Sequence, residues 1–177
     1  MKKTIVLYKS KYGSTEKYAK WIADDLKADL YDSANIKLKD LMSYDTIVYG
    51  GGLFSSGING ISLIKRNFDM LKNKNIIVFT VGLSPTDSNE LKSIIDKNFK
   101  EDMKKYIKFF HLRGGIDYKN LSFIHKIMMN MLKKIVMKKK KEDMTEDEKA
   151  FLEIFGDKVD FTDKKTIKPL VDYVKGL

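Results

Sequence analysis

An α/β fold, with an open parallel sheet covered by helices on both sides, is predicted by two features of the sequence. Short apolar runs rich in Val, Ile and aromatic residues recur at residues 4–8, 46–50, 76–82 and 106–112, the composition of buried strands. Amphipathic stretches of helical period separate them, and buried strands alternating with helices favour right-handed parallel crossovers over an antiparallel sandwich.

The elements follow in order. TIVLY at residues 4–8 is the first strand. Residues 16–27 then place Tyr18, Ala19, Ile22, Ala23 and Leu26 on one helical face. A weaker strand at residues 29–33 fills the gap before TIVYG at 46–50. Residues 61–71 and 89–99 repeat the helical pattern less cleanly and flank the strand IIVFTVG at 76–82. After YIKFFHL at 106–112 the rhythm breaks near residue 115, and more than 40 residues intervene before VDFTD at 159–163. Within that insertion, residues 115–157, Thr145 and Glu148 are spaced as a capping box for a helix that Gly156 ends. The insertion is therefore expected to be structured and helical, and Asp163 is placed to start the last helix, through Val174.

With 177 residues, one domain is expected, since a chain of this size buries roughly 70% of its unfolded surface. Apolar residues at 43% and charged residues at 33% are an ordinary globular balance. The absence of cysteine removes disulfides, a thiol nucleophile and a thiolate metal site. Lys9 and Lys11 cut the first apolar run short of a signal peptide, and no apolar segment approaches the roughly 20 residues that span a bilayer. A cytoplasmic protein is expected, with any membrane contact peripheral. The net charge of +10 favours acidic partners: nucleic acid, anionic lipid or a phosphate-bearing ligand.

The stretch KSKYGSTEKYA after the first strand, with Ser10, Lys11, Tyr12, Gly13, Ser14 and Thr15 at its turn, has the chemistry of an anion site. A turn running straight into a helix aims backbone N–H groups at the positive end of the helix dipole. Ser10, Ser14 and Thr15 add hydroxyl donors, Lys11 adds a charge, and Gly13 opens backbone conformations denied to other residues. Neither a Walker loop nor G-x-G-x-x-G is present. The competing reading is plain capping of the helix by Ser14 or Thr15. Two more glycine-rich or polar loops, GGGLFSSGING at 50–60 and TVGLSPTDSN at 80–89, follow strands on the edge where open parallel sheets bind ligands. Taken singly, the triple glycine also reads as a turn, and Ser84-Pro85-Thr86-Asp87 as a helix start.

Ser10-Lys11-Tyr12-Gly13-Ser14-Thr15 resembles the phosphate loop of the flavodoxin family, and the likeness extends along nearly the whole chain. The resemblance implies a flavodoxin-like doubly wound five-stranded parallel sheet, order 2-1-3-4-5, with a helical insertion in the last-strand region. It also implies FMN as cofactor, its phosphate held by residues 10–15. Gly52, Leu53, Phe54 and Gly57 would then lie beside the flavin ring, with Phe54 stacking and a carbonyl of Gly57 or Gly52 facing N5. Gly82, Leu83 and Ser84 would line the other edge. Residues 83–89 hold no aromatic residue, so the second ring face is expected to be open or covered from the insertion.

In the insertion, Leu121, Ile124, Ile127, Met128, Met131, Leu132 and Ile135 form an apolar stripe, followed by the cationic block Lys138 to Lys141. Such a helix suits an anionic membrane interface, an apolar ligand, or packing on the protein's own sheet. The segment FHLRGGIDYKNLSFIHKIMMNMLKK resembles the branch of the flavodoxin superfamily containing FMN-dependent protoporphyrinogen IX dehydrogenases. That likeness implies oxidation of a tetrapyrrole and delivery of electrons to a quinone at a membrane. A soluble electron carrier serving a redox partner protein is the alternative. A nucleic-acid-binding module is disfavoured because the lysine block contains no stacking aromatics. No catalytic side chain is assigned, since the chemistry would belong to FMN. His111 and His125 are read as strand-end and helix-surface residues, and Arg113 and Lys126 as solvated charges.

Overall fold

The computed structural model describes residues 2–54, 57–85 and 90–177. The chain runs β1 (Thr4–Lys9), α1 (Ser14–Leu26), β2 (Asp29–Asp32), α2 (Leu38–Leu41), β3 (Thr46–Phe54), β4 (Gly57–Ile58), α3 (Ser62–Arg66), α4 (Phe68–Leu71), β5 (Asn75–Gly82), α5 (Glu90–Asn98), α6 (Glu101–Lys104) and β6 (Ile107–Arg113). There follow β7 (Gly115–Asp117), α7 (Phe123–Met137), α8 (Glu146–Glu153), β8 (Lys158–Asp160) and α9 (Lys168–Lys175). Five parallel strands form the sheet in the order β2-β1-β3-β5-β6, which is the expected 2-1-3-4-5 when the parallel strands are counted alone. β4 adds a short antiparallel hairpin to the end of β3.

Alternate strand residues face opposite layers. Ile5, Leu7, Ile47 and Tyr49 pack with Ile64, Leu71 and Ile94 on one face of the sheet. Val6, Val48, Ile77 and Phe79 meet Tyr18, Ile22 and Leu170 on the other. Two expectations shift. The helix read at residues 61–71 is two short helices broken at Asn67, whose amide donates to the Leu63 carbonyl at 2.7 Å. Gly50, Gly51 and Gly52, which also read as a turn, are strand residues paired with Phe79, Thr80 and Val81. A Cβ on Gly50 would lie 2.1 Å from the Phe79 ring, so glycine here makes room for a core aromatic.

Tyr18 ties the layers together. Its hydroxyl donates to the Arg113 carbonyl at 2.8 Å and accepts from the Asp163 N–H at 3.1 Å, linking α1 to the end of β6 and the approach to α9. A Y18F variant strands both partners and should lose about 2 kcal/mol of stability, read by urea denaturation with an unchanged slope. A loss within the error of the measurement contradicts this.

The insertion is not wholly helical. β7 and β8 pair antiparallel, with Gly115 opposite Asp160 and Asp117 opposite Lys158, so a two-stranded ribbon brackets the excursion. Inside it, the expected capping box is present: Thr145 Oγ1 accepts from Glu148 N–H at 3.2 Å and Glu148 Oε2 accepts from Thr145 N–H at 3.0 Å. Gly156, at φ 95°, follows the end of α8. Tyr118 packs against Phe155 at 4.8 Å, and burial pushes its phenol up to about 12. α7 points its apolar stripe outward: Ile124, Ile127, Met131, Leu132 and Ile135 are 44–68% exposed, and only Leu121 and Val136 around it are buried. Packing of the stripe on the protein's own sheet is thereby overturned.

Candidate functional site

The site is built at the C-terminal edge of the sheet, where β1, β3, β5 and β6 end. The first loop turns into α1 through Gly13, which occupies the left-handed region at φ 95° and is itself the residue capping the helix. Ser14 and Thr15 lie inside α1, so the plain capping reading for them fails. Gly13 has no side chain to spend on the first-turn N–H groups, which are thus left to an outside acceptor. A Cβ on it would meet nothing within 4 Å.

The hydroxyls of this loop are half-committed. Ser10 Oγ accepts from the Gly13 N–H at 3.0 Å, and Ser14 Oγ accepts from the Gly115 N–H at 3.2 Å. Each uses acceptor capacity only, which leaves its O–H free to donate. Thr15 is buried at 3% exposure, and its Oγ1 lies 3.3 Å from where a Gly52 Cβ would project. The first loop thus abuts the second.

The second and third loops also touch. A Cβ on Gly82 would come within 2.9 Å of Leu53 Cδ1. Leu53 and Phe54 close the hairpin with Ile58 and Gly57; Ser55 and Ser56 lie outside the described residues, as do Thr86, Asp87, Ser88 and Asn89 at the expected helix start. In the third loop, three successive carbonyls are taken by groups at the end of β6. Gly114 N–H donates to Gly82 O at 2.6 Å, Arg113 Nε to Leu83 O at 3.0 Å, and His111 Nε2 to Ser84 O at 3.1 Å. The other ring nitrogen of His111, Nδ1, shares a hydrogen bond with the Thr80 hydroxyl at 2.8 Å, so both nitrogens are held. His111 is 7% exposed, and the Arg113 guanidinium lies 3.7 Å from the centre of the Phe161 ring. Neither is a bystander. Their spacing of two along a strand, which places both on one side, was the signal in the sequence.

His125 is the larger surprise. Expected on a helix surface, it stands in the first turn of α7 and stacks on Phe54, ring centres 4.9 Å apart and planes 26° from parallel. The Tyr12 hydroxyl and His125 Nδ1 share a hydrogen bond at 2.6 Å, and the Ser122 N–H donates to the Tyr12 oxygen at 3.3 Å. The insertion therefore reaches across to both the first and second loops. Of the thirteen residues expected at the site, Ser10, Lys11, Tyr12, Gly13, Ser14 and Thr15 share the first loop. Gly52, Leu53, Phe54 and Gly57 share the β3–β4 hairpin, and Gly82, Leu83 and Ser84 share the third. Lys126, the other charge once read as solvated, spends its ammonium on the Lys119 carbonyl at 3.0 Å.

Desolvation, with the Lys11 charge adding to it, holds the His125 ring below the usual histidine value. The folded state thus prefers neutral imidazole, and the stability this contributes is present above the unfolded value near ~6.5 and lost as pH falls through the folded one. In an NMR titration the His125 ring should turn over below ~6.5, with Tyr12 ring shifts following the same midpoint as the contact loosens. A midpoint above the unfolded value contradicts the assignment.

A family model described as a flavodoxin domain matches residues 5–145. An uncharacterized protein of Methanocaldococcus jannaschii is 33% identical over 114 residues, covering 63% of this chain and 71% of that protein. Among solved structures, the Trp repressor binding protein from Bacillus subtilis is 14% identical, with a TM-score of 0.48 over 63% of this chain and 83% of that one. A flavoprotein in complex with FMN from Lactobacillus acidophilus is 19% identical, with a TM-score of 0.38 over 64% and 93%. With the family model matched from the first strand into the insertion and the parallel strands in the expected order, the chain belongs to the flavodoxin domain family.

Proposed function

We propose that this chain is a flavodoxin-type redox protein that binds FMN across the C-terminal edge of its sheet, with the phosphate in the loop of residues 10–15. The observation that carries the reading is the glycine-capped start of α1. Gly13 leaves the first-turn N–H groups without a side-chain cap and open space above them, while Ser10 and Ser14 keep their O–H donors uncommitted. Donors without acceptors, at the positive end of a helix, fit a phosphate dianion.

Bound there, FMN would supply the electron- and hydride-transfer chemistry. The chain's own residues position and shelter it. Phe54 and His125 offer an aromatic wall, His111 and Arg113 fix the carbonyls of the third loop, and the first turn of α7 limits water at the Tyr12 side. The finer reading, an enzyme that oxidises protoporphyrinogen IX and passes electrons to a quinone, rests on the likeness of the insertion alone. A carrier that exchanges electrons with a partner protein needs only the flavin.

The visible spectrum of the purified protein with added FMN tests the flavin reading. Stoichiometric binding with quenched flavin fluorescence is expected; no binding in excess FMN overturns it. Oxidation of protoporphyrinogen IX above the uncatalysed rate with a soluble quinone then separates enzyme from carrier.

A further inference from the structure

The outward face of α7 has a composition that the flavin site does not explain. Ile124, Ile127, Met131, Leu132 and Ile135 are 44–68% exposed and Phe123 is 77% exposed. At 100° per residue, Ile127, Met131, Ile124, Ile135, Met128 and Leu132 share an arc of about 140°. A surface of this kind, contiguous and built from large side chains, marks a contact with another apolar phase. Among the described residues, no helix is long and apolar enough to cross a membrane, so this helix could only lie on one.

Charge identifies the occupant. Residues 121–141 carry seven lysines and no Asp or Glu. Lys139 is paired to Glu148 at 2.6 Å, and Lys140 approaches Glu142 at 3.9 Å. Lys134, Lys138 and Lys141 are exposed with no carboxylate in salt-bridge range among the described residues. Lys134 borders the apolar arc, and the Lys138–Lys141 block continues from the end of the helix. Two copies meeting through this face would bring these lysines, and a net charge of +10 on each chain, against one another. A surface of anionic headgroups over acyl chains instead matches both halves: apolar side chains enter the interface while lysine ammonium groups stay at headgroup level.

We propose that α7 is a membrane-docking helix that lies flat in the interface of a bilayer containing anionic lipid. The inference goes beyond the redox reading and needs no bound flavin. Its geometric consequence is direct. Because Ser122 and His125 at the start of α7 touch Tyr12 and Phe54, docking through α7 sets the ligand edge of the sheet beside the bilayer surface.

The experiment is co-sedimentation of the full-length protein with vesicles of phosphatidylcholine alone and of phosphatidylcholine mixed with phosphatidylglycerol, with and without FMN. Binding is expected to the mixed vesicles, to fall with added salt, and to be indifferent to FMN. An I124S/M131S/I135S variant alters only exposed side chains and should bind at least about tenfold more weakly. Exchanging Lys134, Lys138 and Lys141 for Gln should cost roughly fivefold per lysine, with a shallower salt dependence. Mixed-vesicle binding unchanged in the serine variant, or equal binding to both vesicle types, overturns the proposal. So does absence of vesicle binding together with a concentration-dependent dimer that the serine variant dissociates, which would assign the face to a second copy. The circular dichroism of each variant checks folding, and an M131W variant gives a second reading. Its emission should shift to the blue with mixed vesicles and be quenched by brominated acyl chains; an unshifted, unquenched emission counts against docking.

Discussion

An S10A/T15A variant should bind FMN about a hundredfold more weakly than the parent while its affinity for riboflavin changes little. The argument is local. Ser10 Oγ is held in place by the Gly13 N–H and keeps its O–H donor, and Thr15 stands in the first turn of α1 with its hydroxyl toward Gly52. If the proposed phosphate site is right, two charge-assisted hydrogen bonds would be lost, and riboflavin has no phosphate to lose them to. Titration of the variant with both ligands, followed by flavin fluorescence, decides the matter. Equal loss for both would mean that the loop touches the ring system or that the edge of the sheet has been disturbed.

Replacement of Gly50 by alanine should be the most destabilising single methyl in the sheet. Its Cβ would stand 2.1 Å from Phe79 Cζ and 2.6 Å from both Cε atoms, and Phe79 is fully buried between β5 and the α1 layer. Phe79 can yield only by shifting within a fully packed layer, so a loss of about 3 kcal/mol is expected. F79L removes the ring edge, and the G50A/F79L double variant should be more stable than the sum of the two single losses. Chemical denaturation of the four proteins in the cycle measures it. Strict additivity would show that the clash is absorbed elsewhere.

Most of the sheet was legible because buried parallel strands are nearly all apolar, and residues 4–8, 46–50 and 76–82 announce themselves by composition. The glycines at 50–52 were not, since glycine signals both a turn and a close approach, and only the position of Phe79 distinguishes the two. The loop of residues 10–15 was readable as a cluster of donors, but not that Gly13 itself caps the helix and leaves Ser14 and Thr15 within it. His111 and Arg113 were read separately, as a strand-end residue and a solvated charge, because what they hold, the carbonyls of residues 84 and 83, is a backbone feature no side chain advertises. His125 was hidden for a deeper reason. It sits 113 residues from Tyr12 in sequence, and its place depends on how a whole insertion folds back. The stripe on α7 was legible as amphipathic, whereas which way it turns is decided by His125 and Val136, which anchor the flank of the helix beside Leu132.

The ribbon of β7 and β8 gives the insertion an address of its own. Its two ends leave and rejoin the chain side by side, at Gly115 opposite Asp160. The cost of closing a loop between fixed ends grows only with the logarithm of its length, so the excursion can be lengthened, shortened or exchanged while the five parallel strands stay paired. Joining Asp117 to Lys158 through a two-residue Asn-Gly turn would convert the ribbon into an ordinary hairpin. The insertion is then a cassette: lineages could rewrite where this protein lives and what it meets without editing the scaffold that holds its ligand.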